Sequence, residues 1–469
     1  MNDPRILGAD GRLDLLLVNS PLKDYSRTRR VNDFTLPTLG LGYIATVAAA
    51  TGFSVGLLDS EALGLSLSET VGVINNAQPR WAGFNLLAPT YAHSRTILAG
   101  LDPGISVMLG GHQAKAMPRE ILEDLGIPRI DALVVGEAET RVPLLLADIE
   151  SRSSLPSIGW RNGDGLTMPQ TRGDKALLAP DIDAMPFLDR KYLAQDPYPD
   201  AGELESAMVA SRGCPFDCSF CGAAVSANPD VSIRMRSPDN LIAEMATLRD
   251  RYGVTRIRFV DDLFLANSKI IVRTLEAFVR ANLSLRWDAT GRINILDKVP
   301  NATIDLMVTS GCREVALGIE AGSDRLLKHI DKKISVAQII RVVTRLCRAG
   351  ISVKGYFILG LPTETREDHR ATLDLIETLW SITDALPGRF RCSAFEYRPY
   401  PGTPDWFRLL RAGYSPSAML AYSSPEPPET QVVAGRDEFN FSTGIQFGEV
   451  PVDQVRKNLY TIMALQNAR

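Results

Sequence analysis

Long hydrophobic runs are missing from this sequence. No stretch of its 469 residues approaches the roughly 18 consecutive apolar residues of a membrane-spanning helix. The opening MNDPRILGADGR has neither the apolar core nor the cleavage site of a signal peptide. The composition therefore argues against a membrane-embedded protein, and we expect a cytoplasmic location and no membrane partner.

An excess of basic residues is missing as well. The chain has 51 Lys and Arg against 55 Asp and Glu, which gives a formal net charge of −4 at pH 7. Proteins that bind nucleic acid concentrate Lys and Arg in a patch or stripe that neutralises phosphates. We therefore expect no nucleic-acid partner and a small-molecule substrate.

Cysteine is scarce and unevenly placed. Of the six cysteines, three stand singly in periodic apolar segments, as buried reduced thiols do: Cys312, Cys347 and Cys392. The other three crowd into the run SRGCPFDCSFCG, as Cys214, Cys218 and Cys221. Thiolates this close cannot pair as disulfides without strain, but they can converge on one soft metal centre. A zinc site and chance clustering are alternatives to an iron–sulfur cluster.

The C-x-x-x-C-x-x-C spacing has a chemical consequence if the metal is a four-iron cluster. Three cysteine ligands leave one iron open for reaction, whereas four would make a plain electron carrier. This spacing, with Phe220 before the last cysteine, resembles the signature of the radical S-adenosylmethionine (SAM) enzymes. The resemblance implies a [4Fe–4S] cluster on Cys214, Cys218 and Cys221, SAM on the open iron, and reductive cleavage to a 5′-deoxyadenosyl radical. It also implies an electron donor of the flavodoxin or ferredoxin type.

The first third of the chain alternates short apolar runs with helical patterns. The runs are LDLLLVN (13–19), FSVGLLD (53–59), WAGFNLL (81–87), SVMLGG (106–111) and ALVVGE (132–137). Such runs are typical of buried parallel strands. They predict a Rossmann-like, doubly wound domain over residues 1–150, whose ligands bind outside the carboxyl ends of the strands. Glycines stand near those ends: Gly40, Gly42, Gly110, Gly111 and Gly136.

This domain resembles the cobalamin-binding domain that precedes many radical SAM barrels. The resemblance rests on TLPTLGLGYIATVAAATGFSVGLLD, VMLGGHQAKAMPREIL and VVGEAET. It implies a cobalamin site that includes Gly40, Gly110, Gly111 and Gly136. The D-x-H-x-x-G motif that supplies a histidine to cobalt is absent, so cobalamin would bind without an axial histidine. The alternative is a scaffold domain that holds no cobalamin, because fold does not imply function.

A second alternation of strands and helices follows a proline-rich segment, 151–205, that we interpret as a linker. The predicted strands of this second alternation are AMVASRG (207–213), RIRFVDD (256–262), LRWDATGR (285–292), EVALGIEA (314–321), SVKGYFILG (352–360) and RFRCSAFEYRP (389–399). They predict a partial (β/α)6 radical SAM barrel over residues 206–400. Residues 401–469 are expected to form a short C-terminal extension that caps the substrate pocket. The predicted fold is thus α/β throughout.

Polar residues at the carboxyl ends of these strands are the candidate site residues, because the active sites of barrel enzymes lie at those ends. The family resemblance implies SAM contacts from Phe220, Asp262, Arg292, Glu320, Ser323, Gly360 and Leu361. Asp262 would bind the SAM ammonium, and Gly360 and Leu361 would lie along adenine. Asp262 and Glu320 are the candidate catalytic residues.

Each of these residues also has a structural alternative. Asp262 and Ser323 could simply cap helices. Arg292 could form a structural ion pair, and Glu320 could be its partner. Phe220 could be ordinary core.

Together these features predict an enzyme that abstracts hydrogen from a C–H bond of a specialised small metabolite. The first hypothesis is cobalamin-dependent methylation. The second is a methyl-free radical reaction, such as dehydration or rearrangement of an aminoglycoside-type sugar, with the leading domain as a cobalamin-free scaffold. A non-catalytic cobalamin or redox sensor is a third, which the intact cysteine triplet disfavours.

Overall fold

The computed structural model describes residues 3–28, 35–163, 165–170, 174–200, 202–228, 233–423 and 441–469. The chain folds as two compact units, the first ending at Asp196 and the second starting at Pro197. This division falls inside the segment that the sequence predicts as a linker, and the bounds of the four predicted segments stay a prediction. No helix in the described ranges is long and apolar enough to cross a membrane.

The first unit contains seven strands and eight α-helices in its described residues. The strands are β1 (Leu15–Asn19), β2 (Val55–Asp59), β3 (Trp81–Asn85), β4 (Ser106–Gly110), β5 (Ile130–Val134), β6 (Ile158–Asn162) and β7 (Gly165–Thr167). The helices are α1 (Leu39–Ala50), α2 (Ser60–Leu63), α3 (Leu67–Ala77), α4 (Tyr91–Ala99), α5 (His112–Ala116), α6 (Pro118–Glu123), α7 (Arg141–Ala147) and α8 (Lys175–Leu178).

These strands form one sheet in the order β2-β1-β3-β4-β5-β6-β7, of which the first five are parallel. Four of the five predicted runs contain one of these strands, and the fifth, 132–137, overlaps β5, which begins two residues earlier. Separate apolar cores cover the two faces, one with residues of α3, α4 and α6, the other with residues of α1 and α7. The doubly wound fold is confirmed. The order reverses between β1 and β3, and sheets of this kind bind ligands beyond the carboxyl ends of strands at such a switch point.

The second unit contains nine strands and ten α-helices in its described residues. The strands are β8 (Tyr198–Asp200), β9 (Glu203–Met208), β10 (Ser211–Arg212), β11 (Arg234–Met235), β12 (Arg256–Phe259), β13 (Arg286–Gly291), β14 (Cys312–Glu320), β15 (Ser352–Leu359) and β16 (Phe390–Glu396). The helices are α9 (Pro238–Tyr252), α10 (Ser268–Ala281), α11 (Ile293–Leu296), α12 (Asn301–Thr309), α13 (Asp324–His329), α14 (Val336–Arg348), α15 (Arg366–Thr383), α16 (Pro404–Arg411), α17 (Pro416–Met419) and α18 (Val452–Asn467).

Six parallel strands, β9-β12-β13-β14-β15-β16, form the sheet of this unit, and β8 adds an antiparallel strand at the β9 edge. The two edges do not pair, so the barrel is partial, as predicted. Along β14 the side chains of Val315, Leu317 and Ile319 are fully buried under the outer helices. The alternate residues, including Ala316 and Gly318, are partly exposed on the inner face. Small side chains there leave room inside the barrel.

The first barrel strand lies earlier than the sequence analysis predicts. β9 runs Glu203–Met208, whereas the predicted strand is 207–213, so that prediction was wrong in its bounds. The error has an electrostatic cause, because Glu203 and Glu205 look like solvated linker residues. In the structure Arg256 of β12 donates to both carboxylates, at 2.9 Å to each.

Helix α18, at the end of the chain, packs beside the edge strand β16. The Gln466 side chain accepts hydrogen bonds from the backbone N–H of Cys392, at 2.7 Å, and from the Trp380 indole, at 3.2 Å. An edge strand presents unpaired backbone groups. The amide of Gln466 satisfies one of them.

Candidate active site

The three clustered cysteines lie in the loop that follows the first barrel strand and β10. Within the loop, Cys221 N–H donates to the carbonyl of Cys218 at 3.1 Å. Ser219 fixes its middle: its N–H donates to Ile330 O at 3.1 Å, and its hydroxyl donates to the Asp405 carboxylate at 3.0 Å. Ser219 is 1% exposed. The loop is therefore held from both sides, by the segment after α13 and by the first turn of α16.

All three thiols are free, and their surroundings suit an iron–sulfur cluster. Burial raises the pKa of Cys214 and raises that of Cys221 to about 11, so deprotonation would have to come with metal binding. The N–H of Ala223 lies 3.4 Å from Cys221 Sγ, and Arg292 Nη1 lies 3.3 Å from Cys218 Sγ. Soft ligands with N–H donors on their sulfurs are what such clusters use.

No three His, Cys, Asp or Glu side chains in the described ranges gather around a point as the ligands of a single metal ion do. The corner irons of a cluster are bound one by one, so a cluster does not require such a gathering.

Two adjacent carboxylates follow β12 and have different environments. Asp262 is exposed at the strand end, and its predicted contact with SAM stays a prediction. Asp261 is 5% exposed, and its Oδ1 accepts hydrogen bonds from Ala210 N, at 2.7 Å, and Ser211 N, at 2.6 Å. Burial raises the pKa of Asp261 to about 7. Asp261 thus holds the chain that leads into the cysteine loop.

Glu320 ends β14 and faces Lys332. Lys332 Nζ donates to Glu320 Oε1 at 2.6 Å, and both side chains are 7% exposed. The alternative that Glu320 pairs with Arg292 is therefore wrong. Lys332 Nζ also lies 5.8 Å from the centre of the Phe220 ring, which places the ion pair beside the cysteine loop.

A local irregularity of β14 aims the Glu320 carboxylate. Glu320 has a φ of +69°, a conformation that few non-glycine residues adopt, and the pairing of β14 with β15 slips between Gly318 and Glu320. A Cβ at Gly318 would collide with both the Glu320 carboxylate and the Lys332 ammonium. The glycine is needed for the ion pair.

The Ser323 hydroxyl is occupied by contacts within the protein. It caps α13 by accepting from Leu326 N at 3.3 Å, and it donates to Asp368 Oδ1 at 2.5 Å. The bond to Leu326 N is the helix cap that was the structural alternative for Ser323. A SAM contact from Ser323 stays a prediction.

The chain after β15 is held by a carboxylate that the sequence analysis missed. Glu364 Oε2 accepts hydrogen bonds from the backbone N–H groups of Gly360 and of Leu361, the latter at 3.1 Å. His369 Nδ1 lies 3.2 Å from Glu364 Oε1, and the Asn458 amide lies 2.7 Å from His369 Nε2. A donating amide at Nε2 leaves the proton on Nδ1, where it points to Glu364. The predicted adenine segment is thus tied to α18.

The predicted cobalamin glycines of the first unit differ in their places and surroundings. Gly40 is in the first turn of α1, Gly110 is the last residue of β4, and Gly111 and Gly136 follow β4 and β5. Gly111 has a φ of +96°, and a Cβ there would lie 2.6 Å from Leu86 O, so packing alone explains this glycine. Gly136 has a φ of +92°. A Cβ at Gly40 would meet no protein atom within 4 Å, and one at Gly110 would meet Val134 O at 3.5 Å.

Other features at the carboxyl edge of this sheet suit a bound cofactor. Thr38 Oγ1, before α1, and Gln113 Oε1, in α5, are buried without a hydrogen-bond partner in the described part of the chain. A buried oxygen of this kind calls for a ligand or water. Arg141, 0% exposed, donates to Val135 O at 2.9 Å and to Pro156 O at 2.8 Å, and so fixes the loop that contains Gly136. These residues fit cobalamin, and the sequence analysis missed Arg141.

Comparison with known proteins agrees with both units. Residues 208–376 match the radical SAM superfamily, and residues 29–146 match the B12 binding domain. The chain is 29% identical over 398 residues to an uncharacterized methyltransferase of Pyrococcus horikoshii, across 84% of this chain and 82% of that protein. It is 28% identical over 434 residues to the cytidylyl-2-hydroxyethylphosphonate methyltransferase of Streptomyces wedmorensis, across 80% of this chain and 78% of that protein.

Solved structures share the fold. The radical SAM methyltransferase TsrM from Kitasatospora setae, with cobalamin and a [4Fe–4S] cluster bound, has a TM-score of 0.66 at 17% identity, over 97% of this chain and 91% of that one. OxsB, a cobalamin-dependent S-adenosylmethionine radical enzyme, has a TM-score of 0.63 at 14% identity, over 86% and 61%. Three free thiols after the first strand of a partial barrel and the two sequence matches lead to one conclusion: the chain has a radical SAM domain over residues 208–376 and, earlier in the sequence, a domain of the B12-binding type over residues 29–146.

Proposed function

We propose that the protein is a cobalamin-dependent radical SAM methyltransferase that acts on a small metabolite. The observation that carries the proposal is the union, in one chain, of the three-cysteine barrel and the B12 binding domain. Two relatives named as methyltransferases align with about four-fifths of the chain, and one of them is named for a phosphonate substrate. The names of these relatives favour methylation over the methyl-free alternative.

The side chains of the barrel would bind and orient the reactants. When bound, the cluster and SAM supply the 5′-deoxyadenosyl radical, and cobalamin supplies the methyl group. Cys214, Cys218 and Cys221 would hold the cluster. The small inner-face residues of β14 leave space for substrate at the strand ends, where enclosure shields a radical from water.

The remaining site residues are proposed as SAM contacts. Asp262 is exposed at its strand end, where a carboxylate can accept hydrogen bonds from the SAM ammonium. Glu320 lies beside the cysteine loop through Lys332, and Phe220 is part of that loop. Glu364 fixes the segment of Gly360 and Leu361 proposed to lie along adenine: its carboxylate accepts from both N–H groups, and its own N–H donates to Leu361 O at 3.0 Å.

The partners and the compartment are further parts of this proposal. An electron donor of the flavodoxin or ferredoxin type would reduce the cluster, and no nucleic acid would be bound. The slight negative charge of the chain agrees with the second point. Six free cysteines suit the reducing cytoplasm.

The test follows two products of SAM separately. The chain is reconstituted anaerobically with iron and sulfide, then given SAM and dithionite with or without hydroxocobalamin. We expect 5′-deoxyadenosine from radical cleavage, and S-adenosylhomocysteine from methyl donation only when cobalamin is present.

Variants identify the source of each product. Cys218→Ser should abolish 5′-deoxyadenosine formation. Cys347→Ser is the matched control, because Cys347 is a buried thiol on α14, outside the cysteine loop. 5′-Deoxyadenosine without S-adenosylhomocysteine, in the presence of cobalamin, would refute methylation and favour the methyl-free reaction.

A further inference from the structure

Arg292 directs its guanidinium at a cluster ligand. The residue follows β13 and is 6% exposed. Its Nη1 donates to Cys218 Sγ at 3.3 Å, and its Nη2 donates to Lys332 O at 2.5 Å. Its Cζ lies 3.7 Å from the centre of the Phe216 ring. Three different contacts therefore hold the side chain in one position.

Within the described residues, this cation has no carboxylate partner. No Asp or Glu in the described ranges forms an ion pair with Arg292, although buried arginines elsewhere in the chain do, such as Arg256 with Glu205. A buried charge is costly unless an opposite charge or several hydrogen bonds compensate it. The group within reach that becomes anionic is the thiolate of Cys218. The counter-ion of Arg292 is thus the ligated sulfur itself.

We propose that Arg292 sets the reduction potential of the cluster by stabilising its reduced form. One electron passes from the donor to the cluster, and no proton moves and no bond forms or breaks in that step. The added electron increases the negative charge on the cluster sulfurs. A fixed cation that donates an N–H to one of them stabilises this charge, since hydrogen bonds to the sulfurs and local charge set such potentials.

This role differs from the SAM contact that the family resemblance implies for Arg292. Both nitrogens at the tip of the guanidinium already have acceptors before SAM arrives. The proposal concerns electron entry, so it holds whether the final product is methylated or not. Arg292 is a positioning residue here, and it has no assigned contact with substrate.

The test compares reduction potentials by EPR-monitored titration with dithionite, without SAM, in the reconstituted full chain. For Arg292→Gln we expect about a tenfold lower ratio of reduced to oxidised cluster at a fixed potential, which is a downward shift of about 59 mV for one electron. Arg292→Lys keeps the charge but loses the planar fork, so its shift should be smaller. The iron content of each variant shows whether the cluster has assembled.

Arg345→Gln is the matched control. Arg345, on α14, also donates to backbone carbonyls, at 3.2 Å to Leu296 O and 2.9 Å to Val299 O, but its side chain makes no hydrogen bond to a cysteine in the described part of the chain. Its replacement should leave the potential unchanged.

Three results would overturn the proposal, and they are distinguishable. An unchanged potential in Arg292→Gln with full iron content refutes the role outright. A loss of SAM affinity, measured separately by equilibrium dialysis, together with an unchanged potential assigns Arg292 to SAM instead. If Arg292→Gln assembles no cluster, Arg292→Lys is the deciding variant. Its reduction potential should still differ from that of the wild type, and an equal potential would refute the proposal. Failure of methyl donation leaves the potentials measurable, so it tests the proposed function alone.

Discussion

The buried ion pair between Lys332 and Glu320 should dominate the local stability of the second unit. Lys332 Nζ and Glu320 Oε1 are 2.6 Å apart, and each side chain is 7% exposed. Glu320→Gln removes the negative charge and leaves the ammonium buried without its partner. Breaking a buried pair in this way costs about 3–5 kcal/mol. The melting transition of this unit should fall by roughly 6 to 20 °C, at about 2–4 °C per kcal/mol for a unit of this size.

Differential scanning calorimetry of the cluster-free chain, under anaerobic conditions, measures this effect. Lys332→Met should destabilise the unit as well, since it leaves the carboxylate buried alone. The double variant should be more stable than the sum of the two single effects predicts, with a coupling energy of about 1–3 kcal/mol.

The neighbouring pair of Lys333 and Asp331 is a matched surface control. Its atoms are 3.4 Å apart, and its side chains are 58% and 42% exposed. Asp331→Asn should change the stability by no more than about 0.5 kcal/mol, because solvent screens exposed pairs. If Glu320→Gln melts like the wild type and the double variant is additive, the assignment of a buried, energetically important pair is wrong.

Three further predictions concern the supports of the site. Glu364→Gln should weaken SAM binding to the reconstituted enzyme about tenfold in equilibrium dialysis, because about 1.4 kcal/mol of charge-assisted hydrogen bonding is lost. Glu367→Gln, on the exposed face of α15, is the control and should leave SAM binding unchanged. Asp261 has a folded pKa of about 7, above its unfolded value, so its contribution to stability is lost as pH rises from about 4 to about 7. Asp261→Asn should therefore gain stability relative to the wild type as the pH rises from 5 to 8, whereas exposed Asp262→Asn should not. A difference in unfolding free energy between Asp261→Asn and the wild type that stays constant over this pH range would contradict the prediction. Gln466→Ala should cost about 1–2 kcal/mol in thermal unfolding, because it leaves an edge-strand N–H and an indole N–H unsatisfied.

The architecture was predictable because its signals are local. Apolar runs mark the buried parallel strands of both sheets, and the cysteine spacing is contained in eight residues, 214–221. Such features need no knowledge of distant partners. The position of β9 was not predictable in this way. Glu203 and Glu205 belong in a strand only because Arg256, about fifty residues later, neutralises them.

The supports of the site escaped prediction for the same reason. Lys332 stands in a charged run, DKK, that is typical of a solvated turn, yet it is buried against Glu320. His369 looks like any helical histidine until α18 brings Asn458 to its ring. Arg292 was predicted as a cofactor contact, and only the fold reveals that Cys218 and Lys332 share its guanidinium.

The most direct test of the central claim is metal analysis of the full chain after anaerobic reconstitution with iron, sulfide and hydroxocobalamin, followed by desalting. We expect about four iron atoms per chain, held by the cysteine triplet, and about one retained cobalt. Cys218→Ser should lose iron and keep cobalt, because the cysteines and the cobalamin-binding-type domain belong to separate units. Zinc or no metal in place of iron would contradict the radical SAM assignment, and iron without cobalt would contradict cobalamin-dependent methylation.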